Sequence, residues 1–367
     1  MRLLPRDEFA VSVAGPRDGP YLERFRALGL SVAEIGANRL RPRPLAATIR
    51  LVRGLGIQVI HTHGKGAGLY GRLAARWTGV PAIHTFHGLH YERYPPPVRA
   101  AYLALERRLA RWTRTIVHVS PTQAAEALAL GLAAPGRCVT VPNGVDLDEQ
   151  DRVVAAAPIP RERLGLAPDA LVLGTVARFD PVKRLDVLVD ALRALARPGV
   201  ALLLVGGGPE AGRLRRRVAA ARLDGRVAFA GWLDDPARVY PALDLYVAAS
   251  AKEGLPLALL EAMGAGLAVV ATDVAVVATD VPGHRDVVRD GETGLLVPAG
   301  DAGALAAAIA TLLDDPARRR RLGQAGRARV REAFGVGAMV ERTAAIYRAA
   351  TASGLDRASR GARSPRG

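Results

Sequence analysis

The stretch LVLGTVARFDPVKRLDVLVDALRALARPGVALLLV, Leu171–Val205, contains the pattern that decides the fold. Its first apolar run, Leu171–Val176, predicts a strand, and apolar residues at helical spacing predict a helix at Leu185–Leu195. A second apolar run, Ala201–Val205, predicts the next strand. Strand, helix and strand in this order are typical of a parallel sheet covered by helices, so we predict an α/β fold.

The same alternation continues through the first half of the chain. Strands are predicted there at Phe9–Ala14, Val32–Ile35, Val59–His61, Ile83–Thr85, Ile116–Val119 and Cys138–Val141. Amphipathic stretches such as Tyr21–Ala27 and Arg99–Arg111 lie between them. Two parallel α/β domains joined by a linker have a cleft between them, at the carboxyl ends of both sheets.

The domain boundaries follow from breaks in this alternation. Residues 151–160 lack periodicity and contain two prolines, which predicts a linker. We therefore predict a first domain over residues 1–155 and a second over 161–330. A C-terminal helix over 331–350 is predicted to pack back toward the first domain, and the basic tail 351–367 is predicted to be disordered because it is too polar to pack.

Composition excludes several classes of protein. The chain has 367 residues, of which 50% are hydrophobic, and a single cysteine, Cys138, which leaves no internal disulfide and no cysteine-rich metal site. The N-terminus lacks the apolar core of a signal peptide, and no apolar run reaches the roughly 18 residues of a spanning helix. We therefore predict a reducing, cytoplasmic location.

The formal net charge of +16 raises the question of a nucleic-acid partner. Apart from Lys65, Lys183 and Lys252 the basic residues are arginines, and they are scattered with few aromatic residues between them. This pattern argues against nucleic-acid binding. The basic excess leans toward the first half, which suits an anionic membrane surface, a phosphate-carrying acceptor, or simply a solvated basic surface.

The most informative segment for chemistry is SAKEGLPLALLEAMGAG, Ser250–Gly266. A helix is predicted at Leu257–Ala265, with Pro256 at its first turn and Gly266 at its C-terminal cap. Its N-terminus points free backbone N–H groups, with about half a positive charge, at the residues before it. Such a helix end is a natural seat for a phosphate group.

Two carboxylates flank that helix end. Glu253 and Glu261 lie eight positions apart, so both can face one ligand and accept hydrogen bonds from sugar hydroxyls. The alternative is an acid at a helix start and an unrelated, solvent-facing glutamate.

Three further loops follow predicted strands. Arg178 and Lys183 lie on one such loop and form a potential diphosphate clamp, although a solvated basic loop is the alternative. Gly206–Gly208 end another strand and permit close backbone approach to a ligand. HTHGKG at His61–Gly66 and HTFHG at His84–Gly88 favour an acceptor or phosphate site over purely structural histidines.

Together these segments resemble glycosyltransferase family 4, whose members have the GT-B fold of two facing Rossmann-like domains. EGLPLALLE resembles the E-x7-E motif of the family, and ARFDPVKR resembles its arginine–lysine clamp. HTHGKGAGLYGRLAARWTGVP, HTFHG and VPNGVD resemble its first-domain motifs. The similarity covers about residues 9–350 and includes several motifs in the family's order.

The resemblance implies a role for each matching residue. Glu261 would bind the ribose hydroxyls of a nucleoside-diphosphate sugar, Glu253 the transferred sugar, and His87 would lie by the reacting carbon and the acceptor. The catalytic set implied is His87, Glu253, Arg178 and Lys183. The donor-binding set implied is Arg178, Lys183, Gly207, Trp232, Leu233, Gly254, Leu255, Pro256, Leu257 and Glu261.

The implied reaction is transfer of a sugar with retention at the anomeric carbon, with no metal and no cofactor beyond the donor substrate. The resemblance and the basic first half together predict a lipid-linked acceptor, in cell-envelope polysaccharide or glycolipid assembly, and peripheral contact with the inner face of the membrane. Asp146–Asp148 ends the family's NGVD motif and is not interpreted as a metal site. The alternatives are a nucleotide-sugar epimerase of the same fold and a non-catalytic protein that binds nucleotide sugars.

The sequence departs from the family pattern in two places. The first strand, FAVSVAG, resembles the second strand of the family, and the opening, central strand is missing. This predicts either a start further upstream or an impaired copy, since buried strand edges leave unpaired N–H and C=O groups. The second departure is the heptamer AVVATDV, which occurs twice in tandem at Ala268–Val274 and Ala275–Val281. We expect one copy in the sheet and the other in a loop.

Overall fold

The computed structural model describes residues 2–17, 21–36, 42–92, 94–265 and 275–361. The chain divides into two compact units. The first unit comprises Met1–Pro142 and Gly337–Gly367, and the second comprises Asn143–Val336. Both are α/β, with parallel sheets and helices between the strands, as predicted.

The first unit contains six described strands. They are β1 Ser12–Gly15, β2 Ser31–Glu34, β3 Ile60–His63, β4 Ala82–Phe86, β5 Thr115–His118 and β6 Cys138–Thr140. The helices between them are α1 Tyr21–Ala27, α2 Pro42–Gly54, α3 Lys65–Thr78, α4 Pro96–Arg111 and α5 Pro121–Ala129. All six predicted strands are found, within a few residues of their predicted bounds.

These strands form two separate parallel sheets. β1 pairs with β2, and the other four strands form a sheet in the order β3-β4-β5-β6. None of the described strands pairs with both groups, so the described part of this unit has two sheets rather than one.

Helix α3 packs very closely on the four-stranded sheet because two of its glycines, Gly68 and Gly71, face it. A Cβ atom on Gly71 would lie 2.2 Å from Thr62 Cγ2, and one on Gly68 would lie 2.6 Å from His84 Cε1. The same helix carries the fully buried Arg72, whose Nη2 lies 2.7 Å from Glu106 Oε2 on α4. This buried ion pair joins two helices on one face of the sheet.

The second unit has one six-stranded parallel sheet. Its strands are β7 Leu171–Val176, β8 Val200–Val205, β9 Val227–Gly231, β10 Leu245–Ala248, β11 Ala275–Thr279 and β12 Leu295–Val297. Its helices are α6 Leu147–Ala156, α7 Leu185–Leu195, α8 Ala211–Ala220, α9 Leu257–Gly264, α10 Pro282–Val287, α11 Ala302–Asp314 and α12 Pro316–Ala333. The spatial order β9-β8-β7-β10-β11-β12 is that of a Rossmann sheet.

The core of the second unit explains why the stretch Leu171–Val205 predicted the α/β fold. Every residue of β8 is buried, as expected for a central parallel strand covered on both faces. Helix α7 directs Leu185, Leu188 and Leu192 into the same hydrophobic core. Both α7 and β7 have their predicted bounds.

The predicted linker at residues 151–160 differs from the structure. Helix α6 covers most of it, and the division between the units lies earlier, at Pro142 and Asn143. The Asp146 carboxylate accepts a hydrogen bond from Glu149 N at 3.1 Å and so begins this helix. VPNGVD, predicted as a first-domain motif, therefore contributes Asn143 onward to the second unit.

The last helix, α13, spans Val336–Gly361. From Gly337 onward it belongs to the first unit, where Ile346 and Tyr347 pack against buried residues of the four-stranded sheet. Residues 331–333 of the predicted C-terminal helix instead belong to α12. The tail predicted to be disordered from 351 is helical through Gly361, as a continuation of α13. None of the described helices is long and apolar enough to cross a bilayer.

The repeated heptamer contributes one strand to the sheet. The second copy forms β11, whose Val277 pairs with Val247 of β10 and with Leu295 of β12. The first copy, Ala268–Val274, lies outside the described residues, as does Gly266, the predicted helix cap.

Candidate functional site

The strand order of the second unit places a ligand site between β7 and β10. These two strands are neighbours, and the chain order runs in opposite directions on either side of them. In open parallel sheets, ligands bind outside the carboxyl ends of the strands at this switch point. The segments that leave β7 and β10 here contain Arg178, Lys183 and Glu253, the residues that the sequence singled out.

The loop after β7 is fixed by a buried aromatic residue and a local cap. Phe179 is 2% exposed, and the Asp180 carboxylate accepts a hydrogen bond from Val182 N at 3.2 Å. Lys183 Nζ donates to Glu253 Oε1 at 2.6 Å, which joins this loop to the one after β10. Arg178 pairs with Asp180 and remains largely exposed. Both predicted clamp cations thus contact a carboxylate.

The glycines after β8 bring three loops close together. Gly206 has φ +125°, and a Cβ atom there would lie 2.0 Å from the carbonyl oxygen of Ala177. A side chain at this position is therefore excluded by both conformation and space. Phe179 N donates to Gly207 O at 2.8 Å, and Gly206 N donates to Gly231 O at 2.8 Å. The loops after β7, β8 and β9 are consequently tied together at the carboxyl edge of the sheet.

Helix α9 begins at this edge. Its first residue, Leu257, follows Pro256, and no side chain caps the N–H groups of its first turn. Asn143 Nδ2 donates to Leu255 O at 2.8 Å and so fixes the position of the segment Gly254–Leu257. The first-turn N–H groups of a helix have no partner within it. The anion site predicted at this helix end therefore remains a prediction that this geometry permits.

Gly283 explains how α10 packs against this segment. A Cβ atom on Gly283 would lie 2.7 Å from Glu253 Cβ and 2.8 Å from Gly254 O. The backbone of α10 therefore supports Glu253 directly. The next residue, His284, is 1% exposed, and its Nδ1 lies 2.7 Å from Thr279 O. Burial lowers the pKa of His284, so the neutral ring is favoured behind the site.

Glu261 lies on α9 one turn further on. Tyr240, which is fully buried, donates its hydroxyl to Glu261 Oε2 at 2.9 Å. Burial raises the pKa of Glu261, the Tyr240 hydrogen bond opposes this, and the charge of Asp235 adds to it. Gln150 Nε2 donates to the Glu261 carbonyl at 2.7 Å and fixes the backbone. The carboxylate is thus held in one orientation.

The loop after β9 carries the predicted base-binding residues. Trp232 is 58% exposed and Leu233 is partly buried. A large exposed aromatic ring beyond the carboxyl end of a strand is a suitable stacking surface for a flat ligand.

The first unit has its own polar cluster at the carboxyl ends of β3 and β4. His63 Nδ1 lies 2.9 Å from His87 Nε2, and the two rings are stacked. His61 Nδ1 lies 2.7 Å from the Tyr347 hydroxyl on α13, and its Nε2 lies 2.7 Å from Thr85 Oγ1. Burial, together with the neighbouring histidines, lowers the pKa of His61 to about 3. Burial also lowers the pKa of His87.

The lysine of the HTHGKG motif, Lys65, is held by a hydroxyl group, a carbonyl group and two aromatic rings. Lys65 Nζ donates to Tyr94 Oη at 2.8 Å and to His90 O at 3.2 Å, and it lies over the rings of Tyr94 and Tyr102. The motif therefore contributes its histidines, rather than this ammonium group, to the polar cluster. The HTFHG motif contributes His84, which is buried with Nδ1 2.8 Å from Thr62 Oγ1.

Sequence reasoning did not identify three residues that hold the site. Asp180 and Tyr240 contact Arg178 and Glu261, and Asn143 contacts the segment before α9. Asn143 lies in the quoted VPNGVD motif, so a signal existed for it. Within the residues described, no group of three or more His, Cys, Asp and Glu side chains is arranged to hold a metal ion.

Comparisons with known proteins identify the family of each half of the chain. Residues 158–329 match the family model of glycosyl transferases group 1, and residues 1–149 match the model of glycosyltransferase family 4. A D-inositol 3-phosphate glycosyltransferase from Catenulispora acidiphila is 34% identical over 316 residues, which cover 79% of this chain and 70% of the relative.

Two further proteins are similar over most of the chain. A UDP-Gal:alpha-D-GlcNAc-diphosphoundecaprenol alpha-1,3-galactosyltransferase from Escherichia coli is 26% identical, with 85% of this chain and 82% of the relative covered. The crystal structure of Alr3699/HepE from Anabaena, in complex with UDP and glucose, is similar with a TM-score of 0.80 and 21% identity. That match covers 92% of this chain and 91% of the other.

Proposed function

Because the chain belongs to the GT-B glycosyltransferases, we propose that it transfers a hexosyl group from a nucleoside-diphosphate sugar, with retention of the anomeric configuration. Within that class we assign it to family 4. The observation that carries the proposal is the convergence of Lys183, Glu253 and the α9 N-terminus at the switch point of the second sheet.

The cations and the helix end suit a departing diphosphate. As the bond to the sugar breaks, its electron pair moves to the diphosphate oxygen and negative charge accumulates there. Arg178, Lys183 and the N–H groups of Leu255 and Leu257 would supply positive charge at that point, with Gly207 allowing close backbone approach. Hydrogen bonds to charged groups contribute roughly 1.5–3 kcal/mol each. We propose that these groups act without a metal ion and without a cofactor.

The two carboxylates have different surroundings, which supports different roles. Glu261 is held by Tyr240 and Gln150, as a ligand-positioning group should be, and we assign it to the ribose hydroxyls. Glu253 is bound to Lys183 and lies beside the helix end, so we assign it to the transferred sugar.

The remaining assignments concern the base and the acceptor. Trp232 and Leu233 would contact the base, and uridine is the first to test because the Anabaena neighbour is a complex with UDP. In the first unit we assign His87 to the reacting groups.

For the acceptor we propose a lipid-linked sugar in cell-envelope polysaccharide or glycolipid assembly. Support comes from the Escherichia coli relative, whose name specifies a diphosphoundecaprenol acceptor. We further propose a cytoplasmic protein that contacts the inner face of the membrane at its surface.

The test is an incubation of labelled UDP-hexoses with polyprenyl-diphosphate-linked sugars, with and without EDTA. We expect transfer that persists in chelator and a product whose anomeric configuration, determined by NMR, matches that of the donor. Lys183→Gln should reduce turnover at least about tenfold, whereas the exposed Arg193→Gln on α7 should not. Inversion, or activity that requires added manganese, would contradict the mechanism.

The same assay separates the alternatives. Conversion of the nucleotide sugar to an epimer without transfer would identify an epimerase. Stabilisation by UDP without any turnover across a broad acceptor panel would identify a non-catalytic binding protein.

A further inference from the structure

A cavity of about 410 Å³ lies in the first unit, away from its histidine cluster. Four arginines line it, together with one tryptophan and small apolar residues. The polar and aromatic lining consists of Arg76, Arg111, Arg114, Arg137 and Trp112. This volume falls in the range of small-molecule sites and exceeds that of an inorganic phosphate ion.

The cavity lies at the amino edge of the four-stranded sheet. Ala82 begins β4, Arg114 directly precedes β5, and Arg137 directly precedes β6. His61, His63 and His87 lie at the opposite, carboxyl edge, because the strands are parallel. The cavity is therefore separate from the proposed catalytic residues of this unit.

The charge of the cavity lining is one-sided. Its twelve lining residues include no aspartate or glutamate. Helices α3 and α4 end here, and each end contributes about half a negative charge. Arg137 Nη1 donates to Arg111 O at 3.0 Å and to Thr113 O at 3.4 Å, which satisfies carbonyl groups at the end of α4. Four guanidinium groups nevertheless outweigh the two helix ends.

Arg76 and Arg111 are available to a ligand. Both side chains are exposed, and across the described parts of the chain neither pairs with a carboxylate. Arg108 stacks over Trp112, with its guanidinium carbon 5.2 Å from the ring centroid, which adds another cation near the opening. Planar guanidinium groups bind phosphate oxygens through two parallel hydrogen bonds.

We propose that this cavity binds a phosphate ester, with the phosphate held by Arg76 and Arg111 and the organic part against Trp112 and the apolar wall. The ligand chemistry fits both a free sugar or glycerol phosphate and the headgroup of an anionic phospholipid. The site does not depend on the proposed donor site in the second unit.

The experiment measures binding of glycerol 3-phosphate to the full chain by calorimetry, with UDP at saturation so that the donor site is occupied. Arg76→Gln with Arg111→Gln should weaken binding about tenfold or more, because two charge-assisted contacts are lost. Arg76→Lys with Arg111→Lys keeps the positive charges but loses the paired hydrogen bonds of the guanidinium groups, and should give an intermediate affinity. The matched control, Arg43→Gln with Arg53→Gln, removes two exposed arginines of α2 and should bind normally.

A second arm uses sedimentation with vesicles of phosphatidylglycerol or of phosphatidylcholine. Retention on phosphatidylglycerol that is lost in the glutamine variant, without binding of glycerol 3-phosphate, supports a lipid headgroup. Binding in solution supports a soluble phosphate ester. Equal behaviour of wild type and the glutamine variant in both arms overturns the proposal. UDP stabilisation of the glutamine variant, measured in parallel, reports separately on the donor site.

Discussion

Glu261 is held from two sides, through its carboxylate by Tyr240 and through its backbone by Gln150. Its orientation is therefore set before a donor binds. Glu253, in contrast, has an exchangeable partner in Lys183. The two glutamates should consequently respond differently to substitution.

We expect Glu261→Ala to weaken donor binding about 100-fold, since two hydrogen bonds to a charged group are lost. Glu253→Gln should leave binding within a few-fold and remove most turnover. Calorimetry with the donor and steady-state kinetics measure the two effects. An equal loss of affinity in both variants would show that the roles are wrongly assigned.

Tyr240→Phe tests how the pKa of Glu261 is controlled. Burial raises that pKa and the Tyr240 hydroxyl lowers it, so removing the hydroxyl should raise it further. In the proposed site, ribose hydroxyls would donate to the ionised carboxylate, so donor affinity should fall as pH drops toward this pKa. In the variant the fall should begin at a higher pH. Donor dissociation constants measured between about pH 4.5 and 8, above the ordinary glutamate pKa of about 4.3, check this. A profile identical to wild type would exclude control by Tyr240.

The sequence identified Glu253 and Glu261 because a helix start with flanking acids is a local pattern. It did not identify Tyr240, which lies in a short 3₁₀ helix at Pro236–Ala242 and reaches Glu261 only through the fold. A contact that only the folded chain brings about leaves no periodic pattern in the sequence from which it could be predicted.

At the scale of the elements, one copy of the tandem heptamer at Ala268–Val281 can be deleted without altering the other copy. Removing either copy of AVVATDV gives the same sequence, and three of the ten residues between α9 and β11 would remain. A shorter connection between α9 and β11 should lower the entropic cost of joining them and stabilise the second unit by roughly 1 kcal/mol. Its midpoint of thermal unfolding should rise by about 2–4 °C.

Donor choice should not change in the deletion variant, because β11 and its neighbours keep their pairing. Scanning calorimetry and a donor panel measure the two properties. A lower midpoint would mean that the additional heptamer contributes to the packing.

Helix α3 supplies a second test at this scale. Gly71→Ala places a methyl group 2.2 Å from Thr62 Cγ2, and should destabilise the first unit by about 1–3 kcal/mol. Gly54→Ala is the control, because nothing lies within 4 Å of its added methyl group. Urea unfolding measures both variants. Equal stability would show that α3 can shift away from β3 without cost.

Most elements could be predicted because apolar periodicity is strong where helices cover a parallel sheet. Helix α6 was interpreted as a linker although it carried a signal. Asp146 and Glu149 have the spacing of a capping box, and Asp146 does cap the helix. The nearby prolines, Pro158 and Pro160, follow the end of α6 at Ala156 and do not interrupt it.

For the whole molecule, the distribution of histidines predicts unequal acid stability. Burial lowers the pKa of His61, His63, His84, His87 and His118 in the first unit, and of His284 in the second. A histidine with a lowered folded pKa stabilises the protein above its unfolded pKa of about 6.5, and this stability is lost as pH falls.

The first unit should therefore unfold at a higher pH than the second. His61 alone, with a pKa of about 3, should account for a loss of about 2 kcal/mol between pH 7 and pH 5. Hydrogen exchange followed by mass spectrometry at both pH values resolves the two units. Parallel loss of protection in both would contradict the prediction, and His61→Gln should reduce the pH dependence of the first unit.

The two-unit α/β fold could be predicted from the repeated strand–helix order and from several motifs that occur in the order typical of the family. The missing central strand remains a prediction from the resemblance, and the described strands of the first unit form two sheets, β1-β2 and β3-β4-β5-β6. The histidine cluster could be anticipated only as two separate loops. Its contact with Tyr347 joins β3 to a helix 286 positions later, which no local pattern indicates.

The pairing of the clamp cations with Asp180 and Glu253 has a consequence for selectivity in a cell. A bare pair of cations would attract any phosphate compound in its surroundings. Here each cation is already neutralised, so inorganic phosphate gains little by displacing one carboxylate while leaving it without a partner. In the proposed site, a sugar nucleotide would supply phosphate oxygens to the cations and hydroxyl groups to the released carboxylate in the same event. In the proposed site, abundant small anions would therefore compete poorly with the donor.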